Sequence, residues 1–185
     1  APRVILMNKH FALEMKKQLS WPDFHIDIKG QRLVPTRFVC VPSKDLALVL
    51  LDKDIIGMTS ILKHVASNRA PPESGDSLYR CVLNERTRVT GFLGSAESDY
   101  QGTPCSLGDL VEYEGKGEAG YCGIPILSSA SSDSYEVLGF HTGSSGTRSY
   151  YTMVCREELE DGVRELRPPE SNIELDGRQP VLLGN

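Results

Sequence analysis

Ala119-Gly120-Tyr121-Cys122-Gly123 and Gly139-Phe140-His141-Thr142-Gly143, whose histidine lies nineteen residues past the cysteine, are the stretches on which the reading of this chain turns. A thiol between two glycines suits a tight turn that lifts a nucleophile clear of side chains, because glycine enters backbone conformations that other residues resist. Such a turn also lets successive N–H groups aim at one point, as stabilising an oxyanion requires. The glycine-flanked histidine downstream is then available to line a pocket beside that nucleophile. Taken alone, a cysteine between glycines more often reads as a small buried hydrophobe, so the rest of the chain has to decide.

Outward from these two stretches the pattern is of strands. Val4–Met7, Leu33–Val41 and Leu46–Leu51 carry the first part of the chain. Leu78–Leu83, Arg88–Leu93, Leu110–Tyr113, Ile124–Leu127, Tyr135–His141 and Tyr150–Val154 carry the second. They are short, rich in β-branched and aromatic residues, and separated by Gly, Ser, Asp and Pro turns. Helical periodicity is confined to Phe11–Leu19, Ile55–Ala66 and Arg156–Leu166, the last closed by Pro168-Pro169. The tail from Pro168 to Asn185 has no strong period and reads as an extended wrap or a loose end. Two groups of strands predict an all-β protein of two antiparallel β-barrels with a few short helices. The first barrel spans residues 1–68, a Pro-containing linker covers 69–76, and the second barrel with its terminal helix and tail spans 77–185. A cleft between two such barrels can draw a site from both.

The bulk composition excludes several classes. Hydrophobic residues at 39% and charged ones at 24% are ordinary for a packed domain and exclude disorder. The longest apolar run, Leu46–Leu51, is too short to span a bilayer, so membrane insertion is not expected. Charges at Lys9, His10, Glu14, Lys16 and Lys17 interrupt the only stretch that could resemble a secretory leader. The five cysteines (40, 81, 105, 122 and 155) form an odd set without metal-ligand spacing. That argues against a disulfide framework and a zinc site, and for free thiols in a reducing compartment. Residues 1–70 hold eleven Lys/Arg against six Asp/Glu, hence +5, and the remainder nine against nineteen, hence −10. Different solvated faces account for this; a basic face for nucleic acid is the sharper alternative.

A cysteine nucleophile needs a base to take its proton and a group to orient that base. Four histidines are available. His10 directly follows an apolar run, at a strand end. His25 begins the alternating Ile26/Ile28 stretch and reads as a hairpin residue, His64 as a solvated one, and His141 belongs to the second glycine-flanked stretch. Asp45 immediately precedes Leu46-Ala47-Leu48-Val49, where it could orient a base or simply cap the strand; Asp52 and Asp54 are weaker rivals.

The A-G-x-C-G … G-x-H pattern resembles the chymotrypsin-like cysteine proteases of picornaviruses and picorna-like positive-strand RNA viruses, the 3C family. His10 after its strand, Asp45 before its own, and the chain order His10, Asp45, Cys122 are similar to that family in order and spacing. The similarity runs from Val4 to about Leu159. It implies a cysteine endopeptidase that cuts a viral polyprotein in the host cytoplasm with no cofactor and no metal. Cys122 is then the nucleophile, His10 the base and Asp45 its orienter, with the backbone N–H groups of Gly120, Tyr121 and Cys122 forming the oxyanion hole. His141 would hold the side chain of a P1 Gln, or Glu, kept neutral by Tyr113, with Gly117, Thr142 and Gly143 completing the pocket. Two departures stand out. Position 117 often carries a threonine in the family and is glycine here. Only nine residues precede His10, so the resemblance expects a first barrel that this stretch leaves incomplete at its start. Family members also bind viral RNA through a basic segment between the barrels, to which Lys63, His64 and Arg69 loosely correspond. A double-barrel RNA-binding or scaffolding domain without proteolysis is the alternative reading.

Overall fold

The computed structural model describes residues 3–67, 70–100, 102–128 and 135–167. Arg69 and the tail from Pro168 onward lie outside the described residues, as do the readings made on them. The fold is all-β with two short helices, and the two halves of the chain differ in how their strands close.

In the first half, β1 (Val4–Met7), β5 (Ala47–Leu51) and β4 (Pro35–Cys40) form an antiparallel three-stranded sheet with β5 in the centre. The unbroken apolar run in β5 follows from burial on both faces. Ala47, Val49 and Leu51 pack with Ala12, Leu33 and Ile55. Leu48 turns the other way, joining Val39, Val41, Leu159, Leu166, Val137 and Phe140 in a core that both halves share. Ala12 belongs to α1 (Lys9–Gln18), and Leu33 to the small hairpin of β2 (Ile26–Ile28) and β3 (Gln31–Leu33).

The second half closes fully. Strands β6 (Ser77–Arg80), β7 (Glu85–Tyr100), β8 (Thr103–Glu114), β9 (Pro125–Leu127), β10 (Val137–Ser145) and β11 (Arg148–Met153) make a barrel in the order β10-β11-β8-β7-β6-β9. Leu78, Val89, Val111, Tyr113, Ile126, Leu138, Tyr151 and Met153 fill it. Helix α2 (Arg156–Leu166) then crosses back onto the first half, where Gly162 lies so close to Leu48 that a β-carbon there would meet its Cδ1 at 2.3 Å. Buried Lys44 adds a charged tie across the seam, to Asp109 of β8 (2.8 Å) and Glu158 of α2 (2.6 Å).

Three elements differ from the sequence reading. Ile55–Ala66 is not a helix: only Leu62–His64 makes a single 3-10 turn. The Gln31 side chain takes both backbone groups of Ile56 (2.9 and 3.1 Å), and Lys29 Nζ takes the carbonyl of Gly57, so those groups are not free for helical pairing. Strands β7 and β8 run far beyond Arg88–Leu93 and Leu110–Tyr113, as a polar ribbon whose register shifts at Val89/Gly91, Phe92/Gly94 and Gly94/Ala96. Glycines and an absent apolar alternation hid it. His10 stands not at a strand end but in the first turn of α1.

Candidate active site

The β1–β5 register builds half of the site. Met7 pairs with Ala47, so the residues just after β1 come to lie beside those just before β5. Asn8 turns the chain into α1, and His10, on its first turn, meets Asp45. His10 Nδ1–H donates to Asp45 Oδ2 at 2.8 Å, and the His10 backbone N–H donates to Oδ1 at 3.1 Å. Asn8 Nδ2–H donates to the same Oδ2 at 3.0 Å, and the Thr142 hydroxyl, from the other half of the chain, donates to it as well. Asp45 has no solvent exposure. Burial opposes its charge, yet the side-chain hydrogen bonds from His10, Thr142 and Asn8, together with the His10 charge, hold the carboxyl below its ordinary range.

The β9–β10 pairing brings up Cys122. The His141 N–H donates to the Ile124 carbonyl at 2.9 Å, and the Gly123 N–H donates to the His141 carbonyl at 2.8 Å. Cys122 is therefore pinned against β10, with its thiol directed at the Thr142 carbonyl, 3.7 Å away. His10 also hydrogen-bonds the Cys122 side chain. Burial would lower the pKa of His10, but hydrogen bonds to Asp45 and Cys122 and attraction to both outweigh it and raise the imidazole to about 9. A base fixed on one nitrogen by a buried carboxylate and facing a thiol with the other is the arrangement that thiol activation requires.

Gly120 has φ +94°, in the left-handed region, with open space around the position a β-carbon would take. Backbone conformation rather than crowding therefore demands glycine there. The turn sends the Tyr121 N–H to the Glu118 carbonyl at 3.1 Å. Of the three N–H groups expected at an oxyanion hole, Tyr121 is thus engaged, leaving those of Gly120 and Cys122 as candidates.

His141 lies beside this turn, 2% exposed. Ser149 of β11 pairs with Tyr113 of β8 and Tyr151 pairs with His141, so Tyr113 and His141 approach across one intervening strand. The Tyr113 hydroxyl donates to His141 Nδ1 at 2.7 Å. Burial, and then the nearby Arg80 cation, lower the pKa of His141 to about 4, so the ring is neutral at pH 7. With Nδ1 accepting, Nε2 carries the hydrogen. It faces the Ser144 hydroxyl at 3.3 Å.

The remaining sequence-predicted residues divide. Gly117 lies against Ser144 and His141: a β-carbon there would fall 1.5 Å from Ser144 Oγ and 3.6 Å from His141 Cε1. Thr142 does not face the pocket with its side chain, which turns to Asp45. Gly143 continues β10 beside Tyr150. Lys63 is exposed, and His64 stacks on Tyr135 at 4.5 Å rather than standing free in solvent. Among the described residues no cluster of three His, Cys, Asp or Glu is placed to hold a metal.

Three contributors had no sequence signal. Asn8 bridges the halves, since its Nδ2 also donates to the His141 carbonyl at 3.2 Å. Arg80 lies under Tyr113 and Tyr121, 5.9 and 5.7 Å from their ring centres, with Nη1 donating to the Lys116 carbonyl at 2.9 Å. Ser144 abuts His141. Their partners are 133, 36 and 3 residues away, so only the folded chain relates the first two to the site.

These features define a chymotrypsin-like two-barrel fold of the kind used by proteases. Solved structures with that fold resemble it at low identity. The HRV-C 3C protein with rupintrivir matches at 16% identity and a TM-score of 0.54, over 84% of this chain and 82% of that one. An M. tuberculosis protease in its active form matches at 15% and 0.56, over 90% and 70%. A glutamic-acid-specific serine protease, described as using a histidine triad in substrate binding, matches at 17% and 0.52, over 85% and 83%. No protein-family model matches the chain, nor does any curated protein match it by sequence.

Proposed function

We propose that this chain is a cysteine endopeptidase that cuts a viral polyprotein after Gln or Glu, in the cytoplasm of the host cell. The observation that carries the reading is the position of His10, bonded through Nδ1 to buried Asp45 at 2.8 Å and hydrogen-bonded to Cys122. The thiol proton passes to His10, whose raised pKa suits it to hold that proton as an imidazolium while Sγ adds to the scissile carbonyl carbon. The negative charge that develops on the carbonyl oxygen is met by the N–H groups of Gly120 and Cys122. Collapse breaks the C–N bond, His10 gives its proton to the leaving amine, and water then hydrolyses the thioester with His10 again as base. Asp45 fixes the tautomer and opposes the imidazolium charge throughout. Neutral His141, a hydrogen donor through Nε2, suits the side-chain carbonyl of P1.

The test is digestion of a peptide library by this chain beside a Cys122→Ala control, with cut sites read by mass spectrometry. Cysteine-dependent cuts after Gln or Glu are expected. Cuts that persist in the control would end the reading.

A further inference from the structure

Ser144 is exposed and lies over buried His141, 3.3 Å from its Nε2, and its hydroxyl belongs to a chain of hydrogen bonds whose direction follows from its two ends. Ser149, its partner across the β10–β11 ladder, donates to the Gly115 carbonyl at 3.0 Å. A carbonyl only accepts, so the single Ser149 proton is committed there. Ser149 Oγ lies 3.2 Å from Ser144 Oγ and is left to accept the Ser144 proton. At the other end, Tyr113 donates to His141 Nδ1, which makes His141 Nε2–H a donor. The pocket thus presents two polar groups of opposite character side by side: a donor on His141 and outward lone pairs on Ser144.

We propose that Ser144 is a specificity-determining residue that, with His141, selects a carboxamide over a carboxylate at P1. This rests on the protease reading above. A Gln side chain offers a carbonyl that accepts from His141 Nε2–H and an amide N–H that donates to Ser144 Oγ. A Glu side chain offers two acceptors, and the second would face the lone pairs of Ser144. The 3.3 Å separation of Ser144 from Nε2 leaves that imidazole hydrogen weakly engaged and open to exchange for a substrate carbonyl. The same geometry explains the glycine at 117. A β-carbon there would fall 1.5 Å from Ser144 Oγ and 2.4 Å from its Cβ, so any larger residue would evict the hydroxyl.

The experiment compares kcat/KM for two peptides identical except for Gln or Glu at P1, using the full chain, its Cys122→Ala control, and the Ser144→Ala, Ser144→Thr and Gly117→Ala variants. The unsubstituted chain should favour Gln. Ser144→Ala should shrink the Gln-to-Glu ratio by roughly five- to tenfold, the scale of one lost hydrogen bond. Ser144→Thr should keep the ratio, because it keeps the hydroxyl. Gly117→Ala should shrink the ratio as Ser144→Ala does, through displacement alone. A ratio unchanged in Ser144→Ala, alongside cysteine-dependent cleavage by the unsubstituted chain, overturns the role of Ser144 and leaves the protease intact. If the unsubstituted chain cuts neither peptide in a Cys122-dependent way, the protease reading falls and this assignment with it.

Discussion

Replacing Asn8 with alanine tests whether the two halves of the site are held as one unit. Asn8 is 1% exposed, and its Nδ2 bridges Asp45 Oδ2 and the His141 carbonyl at 3.0 and 3.2 Å. Losing a bond to a buried carboxylate costs about 2 kcal/mol, and losing one to a carbonyl about 1 kcal/mol. Two terms reduce the total. Asn8 Oδ1 is buried without a hydrogen-bond partner, so its removal returns about 1 kcal/mol. Asn8 is also the N-cap of α1 but makes no side-chain cap bond, so no capping energy is lost. The net is a destabilisation of about 2 kcal/mol. In urea denaturation followed by tryptophan fluorescence, that moves the midpoint down by roughly 1 M. The near-isosteric Asn8→Asp sets a second carboxylate against Asp45 and should destabilise further at pH 7, by at least about 1 kcal/mol beyond alanine. A loss below about 0.5 kcal/mol in Asn8→Ala, or an aspartate milder than the alanine, would refute the bridge.

Other outcomes follow from the same geometry. His10 should titrate near 9 by NMR, and its pKa should fall in Cys122→Ala while Asp45 keeps it above that of a free imidazole. Because this pKa is raised, the stabilisation is complete below about 6.5 and drains away as pH rises through about 9, which thermal melts across that window will register. His141 has the opposite sign: its contribution is complete above about 6.5 and is lost as pH falls toward about 4, where an NMR titration should find its midpoint. Gly162→Ala should destabilise by about 1–3 kcal/mol in chemical denaturation despite the better helix propensity of alanine, since its methyl would press on Leu48 Cδ1. A stabilised Gly162→Ala would refute that packing.

The strands with strong apolar patterns were legible. Val4–Met7 and the run ending at Leu51 occur where the sequence puts them, because burial on one or both faces writes itself into residue type. The polar ribbon was not, since outside the core little dictates which residues it carries. The stretch Ile55–Ala66, expected to be helical, departs for a different reason: Gln31, twenty-five residues before Ile56, claims its backbone. At the site, His10, Asp45, Cys122 and His141 could be singled out by their chemistry, chain order or flanking glycines, and Tyr113 by the family resemblance. Asn8 and Arg80 could not. An asparagine after a strand and an arginine within one are unremarkable until the chain folds and sets their partners beside them.

The bridge made by Asn8 also bears on timing. The groups it joins lie at positions 8, 45 and 141 of the chain, and Thr142, which donates to Asp45, comes one residue later still. A chain growing on the ribosome can form β1, α1 and β5 early and bring His10 against Asp45. That carboxylate then waits for Thr142, and Asn8 for the carbonyl of His141, until nearly the whole second barrel has emerged. Synthesis itself thus sets an order in which the surroundings of Cys122 are among the last parts to be completed, and a truncated or stalled product lacks the finished cluster of His10, Asp45, Thr142 and Cys122.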